Sequence, residues 1–161
     1  MAAVEYEIGE LLRSKGLTLG AVESATGGFI SHLITSVPGS SDYFKGSVVS
    51  YANETKINVI GVKAAALKDH GAVSSRVAEQ MAAGGRKLLN VDICVADTGI
   101  AGPGGATPGK KVGLFYLGLA TKDGASSRKH EFYGTRDENK RDAAITALEW
   151  VKEYLKNYHY S

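Results

Sequence analysis

A chain of 161 residues with 43% apolar and 22% charged side chains is sized and composed for one domain with a buried core, a balance that excludes intrinsic disorder. Nineteen Lys and Arg against 17 Asp and Glu leave a net charge of +2, with no basic run, so no nucleic-acid partner is expected. Cys94 is the single cysteine and cannot form an internal disulfide, no secretory core follows the acidic N-terminus, and no apolar run approaches the roughly 18 residues of a membrane span; a cytoplasmic protein without membrane contact is expected.

Val4, Ile8, Leu11 and Leu12 recur at helical spacing, which predicts an opening helix closed by a C-cap glycine at Gly16. The apolar run Leu17 to Val22 reads as a strand, and Ile30, Leu33, Ile34 and Val37 as one face of a helix. Glu23-Ser24-Ala25-Thr26-Gly27-Gly28 is therefore a strand-to-helix turn. Free amides and the positive end of a helix dipole suit an anion or a nucleophile there, while simple capping by Ser24 or Thr26 accounts for the same residues. Phe44 to Tyr51 reads as a second strand. Asn53 to Gly61 reads as a short helix with Lys56 in its first turn, where the dipole disfavours a cation and helps to lower a lysine pKa; a solvated lysine is the plainer alternative.

His70 reads as a turn or C-cap residue, and no second histidine stands at metal-ligand spacing from it, so no metal is expected. Ser74 and Ser75 offer caps to a helix with Val77, Met81 and Leu88 on one face. Its many Ala and Gly residues imply tight packing on a sheet or on another subunit, and a homo-oligomer is expected. Val91 to Ala96 is a strand that buries Cys94 as a small hydrophobe and runs into Asp97 to Gly109, with five glycines. Their approachable amides would suit a phosphate or carboxylate, with a linker as the alternative. The loop gives way to a strand, so it is neither a P-loop nor a dinucleotide fingerprint.

Val112 to Ala120 is apolar on both faces, as a central covered strand would be, and a turn at Lys122-Asp123-Gly124 leads to an edge strand over Arg128 to Tyr133. Thr135-Arg136-Asp137-Glu138 fits a capping box opening a helix that buries Ala144, Leu148, Val151 and Leu155. Arg136, Lys140 and Arg141 at its start form a solvated charged face or an anion clamp. Early helix–strand alternation followed by a hairpin predicts a three-layer α/β/α sandwich with a mixed sheet of about five strands. Ligands in such sheets gather beyond the carboxyl ends of parallel strands, and Ser24 and Thr98 stand at two such ends.

Nucleophilic catalysis needs a hydroxyl or thiol, a base and donors for the oxyanion. None of the four histidines has a convincing setting, so a Ser/His/Asp arrangement has no evident base, and a serine with a lysine base stays open. An ordinary lysine, with pKa about 10.4, is neutral in about one molecule in two thousand at pH 7; the site must lower it by about three units, roughly 4 kcal/mol.

Four ordered stretches, Glu23 to Gly28, Gly46 to Lys56, Gly71 to Ser74 and Thr98 to Gly105, resemble the CinA C-terminal domain family over nearly the whole chain. The resemblance implies a single domain over residues 1–161, a stand-alone form without the molybdopterin-binding-like domain of longer members, and the same three-layer fold. It implies a nicotinamide-nucleotide amidase that hydrolyses nicotinamide mononucleotide to nicotinate mononucleotide and ammonia, in pyridine nucleotide salvage, without metal or cofactor. Ser24 would be the nucleophile and Lys56 the base, with Ser41, Tyr51 and Thr98 orienting or relaying protons; the division of labour between Ser24 and Ser41 stays open. Gly99, Gly102, Gly104 and Gly105 would frame the nucleotide. Thr26, Gly27, Gly28, Asn53 and Arg141 complete the expected substrate contacts. Ala25 stands where many members have Cys. The alternative is a non-catalytic nucleotide-binding or competence/DNA-damage-associated interaction module.

Overall fold

A computed structural model describes residues 2–160. Helix α1 spans Val4–Lys15 and ends where Gly16 turns left-handed at φ 67°, as the sequence predicts. Strand β1 (Leu19–Glu23) leads through a turn to α2 (Phe29–Thr35), a short 3-10 turn (Ser40–Asp42) and β2 (Phe44–Val49). A single helical turn, α3 (Asn53–Thr55), then widens into a π turn over Lys56–Ile60. Helices α4 (Ala64–His70) and α5 (Ser75–Leu89) carry the chain to β3 (Ile93–Gly99), the hairpin β4 (Leu114–Thr121) and β5 (Gly124–Glu131), and the closing helix α6 (Arg136–Lys156).

The five strands form one mixed sheet in the order β2-β1-β3-β4-β5. β1 runs parallel to both β2 and β3, and β4 and β5 add antiparallel to β3. The central strands are buried along their length, which is why they read as continuous apolar runs, whereas β5 at the edge is mostly exposed and carries Arg128, Lys129 and His130. One core joins α1, α2 and α6 to one face of the sheet through Ile8, Leu12, Leu148 and Val151. The second lies under α5, the π turn and α4, around Val77, Met81, Ile60 and Cys94. Cys94 is fully buried, and burial pushes its thiol up to about 12.

The small residues of α5 are used within the chain. A Cβ on Gly85 would lie 2.2 Å from Val22 Cγ2 and 2.7 Å from Cys94 Sγ, so the helix lies directly on the sheet, and the feature that pointed to a second subunit has an internal explanation. The buried face runs through Val77, Ala78, Met81, Ala82 and Gly85, leaving Leu88 exposed rather than on that face. No helix among the described residues is long and apolar enough to cross a membrane.

Candidate active site

Because β1 and β3 are parallel neighbours, Ser24 just after β1 and Thr98 near the end of β3 emerge at the same edge of the sheet. They border one cleft of about 280 Å³, at the lower edge of the roughly 300–1,000 Å³ of small-molecule sites. Lys56 opens the π turn, and its side chain is 1% exposed. Its Nζ lies 2.9 Å from Ser24 Oγ, 2.8 Å from the Ser50 carbonyl and 2.9 Å from the Tyr51 carbonyl. Carbonyls can only accept; a hydroxyl can also donate. As an amine, Lys56 therefore donates to both carbonyls and turns its lone pair to the Ser24 hydroxyl. Burial pushes the Lys56 pKa down, the Asp97 charge opposing it.

The turn around Ser24 is held from beneath by two buried acids. Asp97 Oδ1 accepts from the Ser24 amide at 3.0 Å, and Oδ2 from the Thr26 amide at 3.1 Å. Glu23 accepts from the Gly28, Ile30 and Ser31 amides and from the Ser31 hydroxyl, and so caps the start of α2. Burial pushes the Asp97 carboxyl up to about 6 and the Glu23 charge adds to this, against the Thr26 hydroxyl and the two amides.

These bonds correct part of the expected site. The Gly28 amide is engaged by Glu23 and the Gly27 amide by the Ser24 carbonyl, so neither is turned to a ligand. Thr26 is 1% exposed and belongs to the acid pair beneath the turn, away from the cleft. The amide beside the nucleophile that keeps no acceptor among the described residues is that of Ala25, whose residue lines the cleft.

Ser41 is exposed on the 3-10 turn preceding β2, while Ser24 follows the strand end at which Glu23 pairs with Val49. The length of β2, about 20 Å at ~3.3 Å per residue, separates them, and only Ser24 meets Lys56. Thr98 lines the cleft floor and donates to the Ala72 carbonyl at 2.8 Å. Tyr51 and Asn53 stand on one rim, with Gly99, Gly102, Gly104 and Gly105 on the other. Gly99 is required by packing, since a Cβ would lie 2.3 Å from the Phe115 ring; Gly104 has open space on its Cβ side.

Arg141 is absent from the lining; its guanidinium sits 5.7 Å over the Phe29 ring. The cation that reaches the cleft is Arg136, which donates to the Gly102 carbonyl at 2.7 Å and to the Tyr51 hydroxyl at 3.4 Å, tying the glycine loop to the opposite rim. Sequence reasoning offers Arg136 only with Lys140 and Arg141 as a solvated face or an anion clamp, and gives Glu23 and Asp97 no role of their own; the signal for the acids is that each follows an apolar run.

Fold and site together define an α/β/α domain with a buried serine–lysine pair at the carboxyl edge of its parallel strands. The chain belongs to the CinA C-terminal domain family, whose family model matches residues 1–155. A CinA-like protein of Salinibacter ruber is 47% identical over 152 residues, 94% of this chain and 37% of that protein. A putative competence-damage inducible protein of Halothermothrix orenii is 47% identical over 151 residues, again 37% of its length, so the chain spans under two-fifths of these relatives. Among solved structures, the competence damage-inducible protein A (ComA) of Klebsiella pneumoniae superposes with a TM-score of 0.94 at 27% identity, covering 97% of both chains. The competence/damage inducible protein CihA of Agrobacterium tumefaciens gives 0.88 at 36% identity, covering 95% of this chain and 93% of that one.

Proposed function

We propose that this domain is a serine–lysine amidohydrolase that converts nicotinamide mononucleotide and water to nicotinate mononucleotide and ammonia. The observation that carries the reading is the 2.9 Å contact between Lys56 Nζ and Ser24 Oγ, made by an amine buried against two carbonyls. Lys56 takes the Ser24 proton as Oγ attacks the carboxamide carbon, and the Ala25 amide donates to the oxyanion. The resulting ammonium returns its proton to the leaving nitrogen, ammonia departs, and an acyl-serine remains. Water then attacks that ester with Lys56 again as base, releasing the acid and restoring the hydroxyl. Ammonia release from nicotinamide mononucleotide by the purified protein tests the reading; absence of release overturns it.

The sign of the lysine shift sets the pH profile. The neutral amine is the active form and its pKa is lowered, so kcat/KM rises with pH and levels off below the ordinary lysine value of about 10.4. A profile still rising through that value would show an unshifted lysine.

The substrate phosphate finds its cation in Arg136 beside the open amides of the glycine loop. A hydrogen bond to a charged group contributes about 1.5–3 kcal/mol, so Arg136→Gln is expected to raise KM by roughly ten- to a hundredfold with a smaller change in kcat. Arg141→Gln, remote from the cleft, is expected to leave both constants unchanged; the reverse pattern in steady-state kinetics would reassign the anion contact.

A further inference from the structure

Strand β1 closes on Glu23, Asp97 lies two residues before the end of the parallel strand β3, and the two acids meet. Val22 pairs with Ala96, so Glu23 and Asp97 are neighbours, and both are 0% exposed. One hydroxyl lies between them: Thr26 Oγ1 is 2.6 Å from Glu23 Oε1 and 2.5 Å from Asp97 Oδ1. A hydroxyl carries a single proton and can donate to only one of the two. Were both acids ionised, one of these contacts would set bare oxygen lone pairs against each other at the spacing of a charge-assisted hydrogen bond. A second proton is required, and it must sit on an acid.

The surrounding donors decide which. Glu23 receives three amides, the Ser31 hydroxyl and Thr26, the surroundings of a carboxylate. Asp97 receives one amide on each oxygen, which leaves Oδ1 room for a proton facing Thr26. We infer that Glu23 and Asp97 hold one proton between them through Thr26, borne by Asp97 and donated to Thr26 Oγ1, whose own proton goes to Glu23, and that the neutral Asp97 is a positioning residue for Ser24. It fixes the Ser24 and Thr26 amides without setting a second anion beside Lys56.

This arrangement sets the charge around the base. An ionised Asp97 would favour the Lys56 ammonium; a neutral one leaves burial to act unopposed. Burial and the Glu23 charge both raise the Asp97 carboxyl, and the Thr26 hydroxyl lowers it only if its proton points at Asp97. The charged groups that face Asp97 are Glu23 from β1 and Lys56 from the π turn, while α6 brings Lys140 over Gly27 above the turn. The role given to Lys56 rests on the amidohydrolase reading; the shared proton does not.

Two measurements test the inference without turnover. Difference infrared spectra of unlabelled and ¹³C-aspartate-labelled protein at neutral pH are expected to show the carbonyl stretch of a protonated aspartic acid, assignable because Asp97 is the single buried aspartate among the described residues. The Cε resonance of Lys56, assigned with Lys56→Met, is expected to titrate at the same midpoint in Asp97→Asn as in the native protein, because the substitution removes no charge. No protonated-aspartate band, or a midpoint lowered by about one unit or more in Asp97→Asn, overturns the inference, since deleting a nearby anion shifts a lysine by that much. Should Asp97→Asn fail to fold, the band in the native protein decides alone. Because ammonia release enters neither readout, failure of the amidase reading and failure of the shared proton are distinguishable.

Discussion

Lys56→Arg is expected to cut ammonia release by at least about two orders of magnitude, and Ser24→Ala by more. Arginine can still donate to the Ser50 and Tyr51 carbonyls, but it holds its proton at every working pH and has no lone pair to take one from Ser24. Loss of a general base costs about 10²–10⁴ in rate, and loss of the nucleophile of such a pair up to about 10⁶. The two groups act as one unit, so the double variant is expected to be no slower than Ser24→Ala alone. Calorimetric titration with nicotinamide mononucleotide is expected to show binding retained in Ser24→Ala, which separates loss of chemistry from loss of the site. Lys56→Arg turning over within tenfold of the native protein would remove lysine from the role of base. The result also bears on Ser41: at the far end of β2 it has no route to Lys56, and Ser41→Ala is expected to leave kcat unchanged.

What the sequence discloses about this site divides along physical lines. The sheet order is not written in any one segment, but its central strands are legible as runs apolar on both faces and β5 as an edge through its charges. The Thr135–Glu138 capping box locates the start of α6, yet not which of Arg136, Lys140 and Arg141 turns to the cleft; that depends on the rotation of the helix and on where the loop from Ala101 to Gly105 comes to lie. The face of α5 is misjudged at Leu88 because Ala78, Ala82 and Gly85 give no hydropathy contrast, although their smallness is what lets the helix approach the sheet. The Ser24–Lys56 pair spans 32 residues and three-dimensional packing alone brings it to 2.9 Å, so only the ordered motifs of the family anticipate it. Glu23 and Asp97 carry the subtlest signal. An acid after one apolar run is ordinary, and two such acids on adjacent parallel strands become a pair only once the register is known.

The π turn that presents Lys56 depends on a glycine elsewhere, and Gly84→Ala is expected to both destabilise the domain and impair the site. In an exposed helix this substitution gains up to about 1 kcal/mol from propensity. Here the added Cβ would stand 2.1 Å from the Ile60 carbonyl oxygen and 2.8 Å from Ile60 Cγ2, at the end of the π turn that Lys56 opens. The first obstacle is backbone, which cannot rotate aside, so α5 and the π turn must separate. Overpacking of this kind costs typically 1–3 kcal/mol, which outweighs the propensity gain and lowers the melting temperature by several degrees. The displacement is transmitted to Lys56 through the Val62 amide, which donates to the Lys56 carbonyl at 2.9 Å, and to a buried Nζ whose three contacts all lie within 2.8–2.9 Å. A misplacement of about 1 Å costs up to 10²-fold in rate. Ala83→Gly, one residue away on the exposed side of α5, supplies the control: it loses about 1 kcal/mol of helix propensity and adds no atom to the packing of α5. Both variants are expected to melt earlier, and only Gly84→Ala to lose kcat. A Gly84→Ala protein that melts higher than the native chain, or that melts lower with full kcat, would uncouple the seating of α5 from the position of Lys56.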